Sequence, residues 1–412
     1  MSRSATATIH LDALRHNLAR VRTLAGGAKV MAVVKADAYG HGLERCARAL
    51  ADADAFGVAS IADGLRLRAA GHRQRIVVLS GPDSASDLAE MRRLQLEAVI
   101  HHESQLAMLE AERGGDPLKV WLNLDTGMHR LGFPPERAAE LHGRLRALTT
   151  VDPAIVLMTH FASSDEFDND LTARQTQRFL DATTNLPDER ALANSAGLLG
   201  WPRARGLHPS ADRQTDAAID GWSARVSPVG LGDTAGAGPG VYRTRDAGGV
   251  QDRTPSAKYW VRTGGLLYGL SVVQGKTGAD VGFAPAMTLA TRLVAINRIA
   301  RGERIGYGAT WECPGDMDVG VAAIGYGDGY PRSAKSGTPV RVGDLPAAVV
   351  GRVSMDLLTL DLRQAPNARV GDVVTLWGPQ LPVEVIAQHA GTIAYELTCG
   401  VTRRVLFAED DT

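Results

Sequence analysis

The chain reads as an α/β protein: a (β/α)8 TIM-type barrel followed by a mostly β C-terminal domain. Two observations predict this. Eight short apolar runs alternate with segments of helical spacing, the pattern of parallel strands joined by crossover helices. From about residue 285 the pattern becomes alternating strands separated by Gly-Asp turns. A doubly wound open sheet is the competing arrangement, and the sequence offers no dinucleotide-type glycine fingerprint to support it.

An amphipathic helix opens the chain at Leu11-Asp-Ala-Leu-Arg-His-Asn-Leu. The predicted barrel strands cover 30–34, 55–59, 76–79, 98–100, 120–124, 155–158, 191–193 and 260–262. Between them lie helix-spaced stretches such as Ile61-Ala-Asp-Gly-Leu-Arg-Leu-Arg-Ala-Ala. One connection breaks the rhythm: residues 203–257 are rich in Gly, Asp, Arg, Thr and Pro and far longer than such loops usually are. Its composition predicts a surface insertion, with a lid over the barrel rim as the alternative. Strands are then expected at 290–296, 319–324, 347–353 and 373–377, with turns at Val342-Gly-Asp and Val370-Gly-Asp. The expected division is 1–284 for the barrel and 285–412 for the β domain.

Composition narrows the function class. The 412 residues are 44% hydrophobic and 22% charged, with a formal net charge of -1, so neither nucleic acid nor an anionic membrane is an expected partner. Three scattered cysteines, Cys46, Cys313 and Cys399, argue against a disulfide framework or a zinc site, and no metal is expected. With no apolar signal region and no window of membrane-span length, a cytoplasmic enzyme is the expectation.

The chemistry concentrates at the C-terminal ends of the predicted strands, the rim where barrel active sites are assembled. Val30-Met-Ala-Val-Val runs directly into Lys35. An amine at the end of a buried strand is desolvated, which favours the neutral form that condenses with a carbonyl. Arg130, His160, Ser195 and Arg262 fall just past other strand ends, and Gly264-Gly265 follows Arg262. Two cations, an imidazole, a hydroxyl and a glycine pair thus share one rim. Backbone N–H groups at Gly264 and Gly265, with the Ser195 and Tyr39 hydroxyls, would suit a phosphate.

Val-Val-Lys35-Ala-Asp-Ala-Tyr39-Gly-His-Gly resembles the signature of the alanine racemases, whose lysine carries pyridoxal 5'-phosphate as a Schiff base. Further matches follow in order: Thr126-Gly-Met-His-Arg130-Leu-Gly-Phe, Ile305-Gly-Tyr307-Gly-Ala-Thr-Trp, Ile324-Gly-Tyr326-Gly-Asp-Gly-Tyr and Gly351-Arg-Val-Ser-Met355-Asp. The resemblance implies that Tyr39, Ser195, Gly264 and Gly265 bind the cofactor phosphate. It implies that Arg262 meets the pyridine nitrogen and His160 lies against the ring. Arg130 would serve the ring phenolate and the substrate carboxylate. Tyr307 would be the second catalytic base opposite Lys35, Tyr326 would narrow the substrate entrance, and the Met355 N–H would hold the substrate carboxylate. The family pattern further implies a homodimer with composite sites and D-alanine supply for peptidoglycan.

The chain departs from the pattern at three places. Asn123 stands where many members have a lysine that is carbamylated and neutralises the arginine matching Arg130. Some relatives of broad specificity share that asparagine, so a wider amino-acid racemase is one alternative; a non-catalytic cofactor-binding barrel and a decarboxylase of similar architecture are others. Arg403, in Cys399-Gly-Val-Thr-Arg-Arg-Val-Leu, stands where some members are expected to place a phosphate-binding tyrosine. The 203–257 insertion is the third departure.

Overall fold

The computed structural model describes residues 5–206 and 258–411. Most of the 203–257 insertion therefore lies outside the described residues.

Eight parallel strands close into a barrel: β2 (Lys29–Val33), β3 (Ala55–Val58), β4 (Arg75–Val78), β5 (Glu97–Ile100), β6 (Val120–Asn123), β7 (Val156–Met158), β8 (Glu189–Ala191) and β9 (Tyr259–Thr263). Each coincides with an expected run to within two residues at either end. Closure is made by β2 pairing with both β3 and β9. Side chains alternate along each strand. Met31, Val33, Val77, Val99, Trp121, Met158 and Trp260 fill the barrel interior, whereas Val30, Ala32, Val34 and Phe56 face the surrounding helices.

The interior is packed, not open. The Trp121 and Trp260 rings meet at 5.3 Å in an edge-on arrangement. The Arg75 guanidinium lies 4.8 Å from the Trp260 ring and forms an ion pair with Glu97, which also accepts a hydrogen bond from Trp121 Nε1. This charged and aromatic plug fills one end of the barrel. The opposite end, where the strands terminate, is left for chemistry.

The second sheet has the order β13-β16-β15-β14-β17-β10-β1-β18, where β1 is Thr6–His10, β10 is Met287–Ile299, β13 is Met317–Ala322, β14 is Pro339–Val342, β15 is Leu345–Val350, β16 is Leu358–Asp361, β17 is Val373–Trp377 and β18 is Leu406–Asp410. The long β10 also pairs with β13, curling the sheet back on itself, and between them β11 (Arg304–Ile305) and β12 (Trp311–Glu312) form a separate two-stranded sheet. The expected Gly-Asp turns are present: Gly343 (φ +56°) joins β14 to β15, and Gly371 (φ +99°) precedes β17. Sequence reading missed β1, the strand before the first helix (Leu11–Ala25). It pairs antiparallel with β10 and parallel with β18, so the start of the chain is built into the C-terminal sheet.

Candidate active site

Strand alternation places the first functional residue. Met31 and Val33 point into the barrel, so Lys35, two residues on, stands above the same interior at its open end. The same arithmetic carries β7 from Val156 and Met158 to His160, β9 from Trp260 to Arg262, and β6 from Trp121 to Asn123.

Beyond Lys35 the chain does something unusual: it makes one left-handed turn, in which Ala36, Asp37, Ala38 and Tyr39 all have φ between +52° and +56°. Left-handed backbone costs roughly 1–2 kcal/mol per non-glycine residue, so four in succession must be held by their surroundings. The His41 ring nitrogen Nδ1 donates toward the carbonyls of Ala38 (3.1 Å) and Tyr39 (2.9 Å). Asp37 Oδ1 accepts from the Leu43 N–H at 3.1 Å and from Arg66 at 2.8 Å. At Gly40 (φ +80°) the turn presses on a second element, for an added Cβ would lie 2.0 Å from the Thr398 carbonyl oxygen. Strain is thereby concentrated between Lys35 and Tyr39, where the two side chains must be aimed.

Lys35, Tyr39, His160, Ser195, Arg262, Gly264 and Gly265 line one cavity of about 1020 Å³. Desolvation, followed by the nearby Arg130 charge, holds the Lys35 amine below the ordinary lysine range. Arg262 is buried and anchored: Nη1 donates to the Ala191 carbonyl and Nη2 to that of Thr159, both at 2.6 Å. Desolvation lowers its pKa to about 10, which leaves it charged at neutral pH. Its Nη2 also lies 3.3 Å from His160 Nδ1. Desolvation, then the charges of Arg262, Arg130 and Lys35, push His160 down to about 3, so the imidazole is neutral and accepts at Nδ1.

A second group of donors gathers beside this one. Ser195 Oγ accepts from the Gly264 N–H at 3.0 Å. A Cβ on Gly264 would sit 2.3 Å from Tyr39 Oη, and one on Gly265 would sit 2.2 Å from Tyr395 Oη. Only glycine lets both hydroxyls approach this backbone. Desolvation, then Cys399, pushes Tyr39 up to about 12, and desolvation raises Tyr395 as well. Both phenols therefore stay protonated and able to donate. A cradle of hydroxyls and glycine backbone suits a phosphate, and a depressed lysine beside it suits an aldehyde. The residues present fit pyridoxal 5'-phosphate.

Arg130 does not line the cavity, although its charge reaches Lys35 and His160. Its loop is organised by Asp125, whose Oδ1 accepts from the N–H groups of Gly127, Met128 and His129, each at 3.0 Å. Tyr307, Tyr326 and Met355 are also absent from the cavity lining. They lie on the second sheet's loops, 69%, 39% and 52% exposed. These loops are neighbours: Tyr326 N donates to the Ser354 carbonyl at 3.0 Å, and the Gly306 backbone approaches Arg352.

The family model described as "Alanine racemase, N-terminal domain" matches residues 9–209, and "Alanine racemase, C-terminal domain" matches residues 286–408. An alanine racemase of Nitrosococcus oceani is 46% identical over 400 residues, covering 97% of each chain. One from Shewanella loihica is 44% identical over 399 residues, again covering 97% of each. The crystal structure of biosynthetic alanine racemase from Pseudomonas aeruginosa superposes with a TM-score of 0.83 at 38% identity, covering 99% of both chains. That of alanine racemase from Acinetobacter baumannii gives 0.81 at 33% identity, covering 99% of this chain and 100% of the other. The chain belongs to the alanine racemase family.

Against the alanine racemase pattern, one expectation needs correction. Arg403 is exposed and does not line the cavity, whereas Tyr395 does, its ring 5.6 Å from that of Tyr39. The hydroxyl that approaches the Gly265 backbone thus comes from Tyr395, eight residues before Arg403. The signal was available in Thr392-Ile-Ala-Tyr-Glu, the only tyrosine after Tyr330. Asn123, in place of the alanine racemase lysine, donates from Nδ2 to the Leu131 carbonyl at 3.0 Å. It braces the Arg130 loop by a hydrogen bond, and among the described residues no carboxylate pairs with Arg130.

Proposed function

We propose that this enzyme interconverts L-alanine and D-alanine with pyridoxal 5'-phosphate bound at Lys35. The observation that carries the reading is that the amine of Lys35, depressed by desolvation, lines the same cavity as the hydroxyl and glycine cradle. The bound cofactor would supply electron withdrawal that acidifies the hydrogen on the amino acid's α-carbon.

The chain's own residues would do the rest. Tyr39, Ser195, Tyr395 and the Gly264–Gly265 backbone would hold the phosphate. Arg262 would meet the pyridine nitrogen as a hydrogen-bond donor that keeps its proton at neutral pH, and His160 would pack beside it as a neutral ring. Arg130 would balance negative charge on the cofactor and the substrate carboxylate. Inverting one carbon requires removing a proton on one side and delivering one on the other, so two groups must face each other across it. Lys35 serves the side from which the D-isomer loses its proton, and Tyr307 serves the side of the L-isomer.

Tyr307 is 69% exposed on its own chain, with Met355, Tyr326 and Leu357 exposed nearby. Such a patch fits a partner-facing surface, so we assign the enzyme as a homodimer in which these residues complete the site of a second copy. Met355 would then hold the substrate carboxylate through its N–H and Tyr326 would narrow the entrance. The division into 1–284 and 285–412 fits this arrangement, with β1 lent to the second sheet. Among the described residues no helix is long and apolar enough to cross a membrane. Supply of D-alanine for peptidoglycan in the cytoplasm is the role this activity suits.

The test is Lys35→Ala in purified full-length protein. The wild type should gain a visible absorbance band on adding pyridoxal 5'-phosphate and should racemise alanine. The variant should do neither. A variant that keeps the band and the activity would show that Lys35 is not the point of attachment.

A further inference from the structure

Arg404 belongs to the Arg-Arg pair near the C-terminus, and the proposed chemistry has no role for it. Its guanidinium joins two carboxylates on separate loops. Nε lies 3.2 Å from Asp328 Oδ1, and Nη2 donates to Asp356 Oδ1 at 2.5 Å. Asp328 is two residues after Tyr326, and Asp356 is the residue after Met355. Asp328 is 2% exposed and its Oδ2 also accepts from the Gly325 N–H at 3.0 Å, so one anchor of the bridge is fixed. The guanidinium rests on Gly327, where an added Cβ would lie 2.1 Å from Nη1. A glycine there makes room for the arginine.

The surrounding backbone supports the same clamp. Gly327 N donates to the Met355 carbonyl at 2.9 Å, tying the loops directly. Thr402 N donates to the Asp328 carbonyl at 3.1 Å, and Thr402 Oγ1 donates to the Gly327 carbonyl at 3.0 Å. The segment carrying Arg404 is thus stitched to one loop while its side chain reaches across to the other. A planar fork can bond two carboxylates at once in fixed directions; an ammonium on a flexible stem cannot hold that geometry.

We propose that Arg404 is a positioning residue for substrate binding, setting the distance between the Tyr326 ring and the Met355 N–H. This rests on the functional reading above, in which those two groups bound the substrate. It leaves the cofactor cradle untouched, because among the described residues the partners of Arg404, Asp328 and Asp356, lie outside the cavity lining. Loss of the clamp should therefore act on substrate affinity and spare cofactor attachment.

The experiment compares wild type, Arg404→Gln, Arg404→Lys and Asp356→Asn as full-length protein loaded with pyridoxal 5'-phosphate. Arg404→Gln should raise KM for L-alanine about tenfold, the loss expected from charge-assisted hydrogen bonds, with kcat changed less than about threefold. Arg404→Lys should recover only part of that loss, and Asp356→Asn should resemble Arg404→Gln. The visible band should be the same in all four. Amide hydrogen exchange, which needs no activity, should quicken in Arg404→Gln at 326–329 and 354–357 alone. An unchanged KM with unchanged exchange would overturn the proposal. So would a loss of cofactor band, kcat and protection together, which marks a purely structural role. A wild type without band or racemisation would sink the functional reading, and the exchange pattern would still decide whether Arg404 sets these loops.

Discussion

His160 Nδ1 accepts from the Arg262 guanidinium at 3.3 Å, which fixes a neutral imidazole against a permanent cation inside the barrel mouth. Protonating His160 would first cost the desolvation of a buried charge, and would then set it against the Arg262, Arg130 and Lys35 charges. This is why its pKa falls to about 3 from an ordinary 6.5. The folded state refuses a proton that the unfolded chain accepts. The stability this contributes is complete above about pH 6.5 and is lost as pH falls toward 3. His41, lowered to about 4 chiefly by desolvation, acts in the same direction. The thermal midpoint should therefore decline with acidification below pH 6.5, and His160→Gln should make that decline shallower. Thermal melts across this range check it, and equal slopes in wild type and variant would remove His160 as the cause.

The left-handed turn after Lys35 gives a paired prediction. Gly40→Ala forces a Cβ to within 2.0 Å of the Thr398 carbonyl oxygen at a φ of +80°, so backbone must move. The variant should lose about 2 kcal/mol or more of stability, with weaker cofactor retention, because the turn aims both Lys35 and Tyr39. Ala36→Gly should lack that penalty. Ala36 is exposed at φ +53°, where glycine relieves the left-handed strain while adding chain entropy of similar size. Denaturant midpoints of the two variants measure the contrast, and equal loss in both would refute this account of the turn.

Close approach at the phosphate cradle is tested at Gly265. A Cβ there meets Tyr395 Oη at 2.2 Å and displaces the ring, whereas φ is unstrained. Gly265→Ala should weaken binding of pyridoxal 5'-phosphate by about tenfold, with a small change in thermal stability of the apoprotein. Combining it with Tyr395→Phe should cost less than the sum, since both act on one hydroxyl. Titration of the apoproteins with cofactor gives these numbers, and strict additivity would separate Tyr395 from the cradle.

Much of this arrangement was legible in the sequence for one physical reason: strand periodicity is local. Once Val30-Met-Ala-Val-Val is read as a buried strand, the inward set 31, 33, 35 follows, and Lys35 arrives at the barrel mouth. His160 and Arg262 follow by the same step. What escaped detection depends on contacts distant in sequence. Strand β1 is five residues long, and its partner β18 lies 400 residues away, so no neighbouring pattern announces it. Tyr395 sits on a helix of six residues, Ala394–Cys399, and it matters only because that helix docks against Gly265 and Tyr39. The hand of the Ala36–Tyr39 turn is set by His41, Asp37 and the Thr398 carbonyl, since Ala-Asp-Ala alone favours the ordinary helix.

The exposed phenol of Tyr307 carries the last prediction. It stands in a tight turn after Gly306 (φ +76°), away from the cavity that holds Lys35 and 69% exposed, so one chain by itself does not bring the two proposed bases together. Two consequences follow and can be separated. Tyr307→Phe should leave the visible band and the oligomeric state of the wild type unchanged, because the phenol OH serves neither. It should slow racemisation from L-alanine by at least about 100-fold, the usual contribution of a positioned acid–base group. Exchange of the α-hydrogen of D-alanine with solvent, which Lys35 alone can support, should survive in the variant. Comparing that exchange with net inversion isolates the two sides of the reaction. Full inversion by Tyr307→Phe in both directions would mean that some other group delivers the second proton.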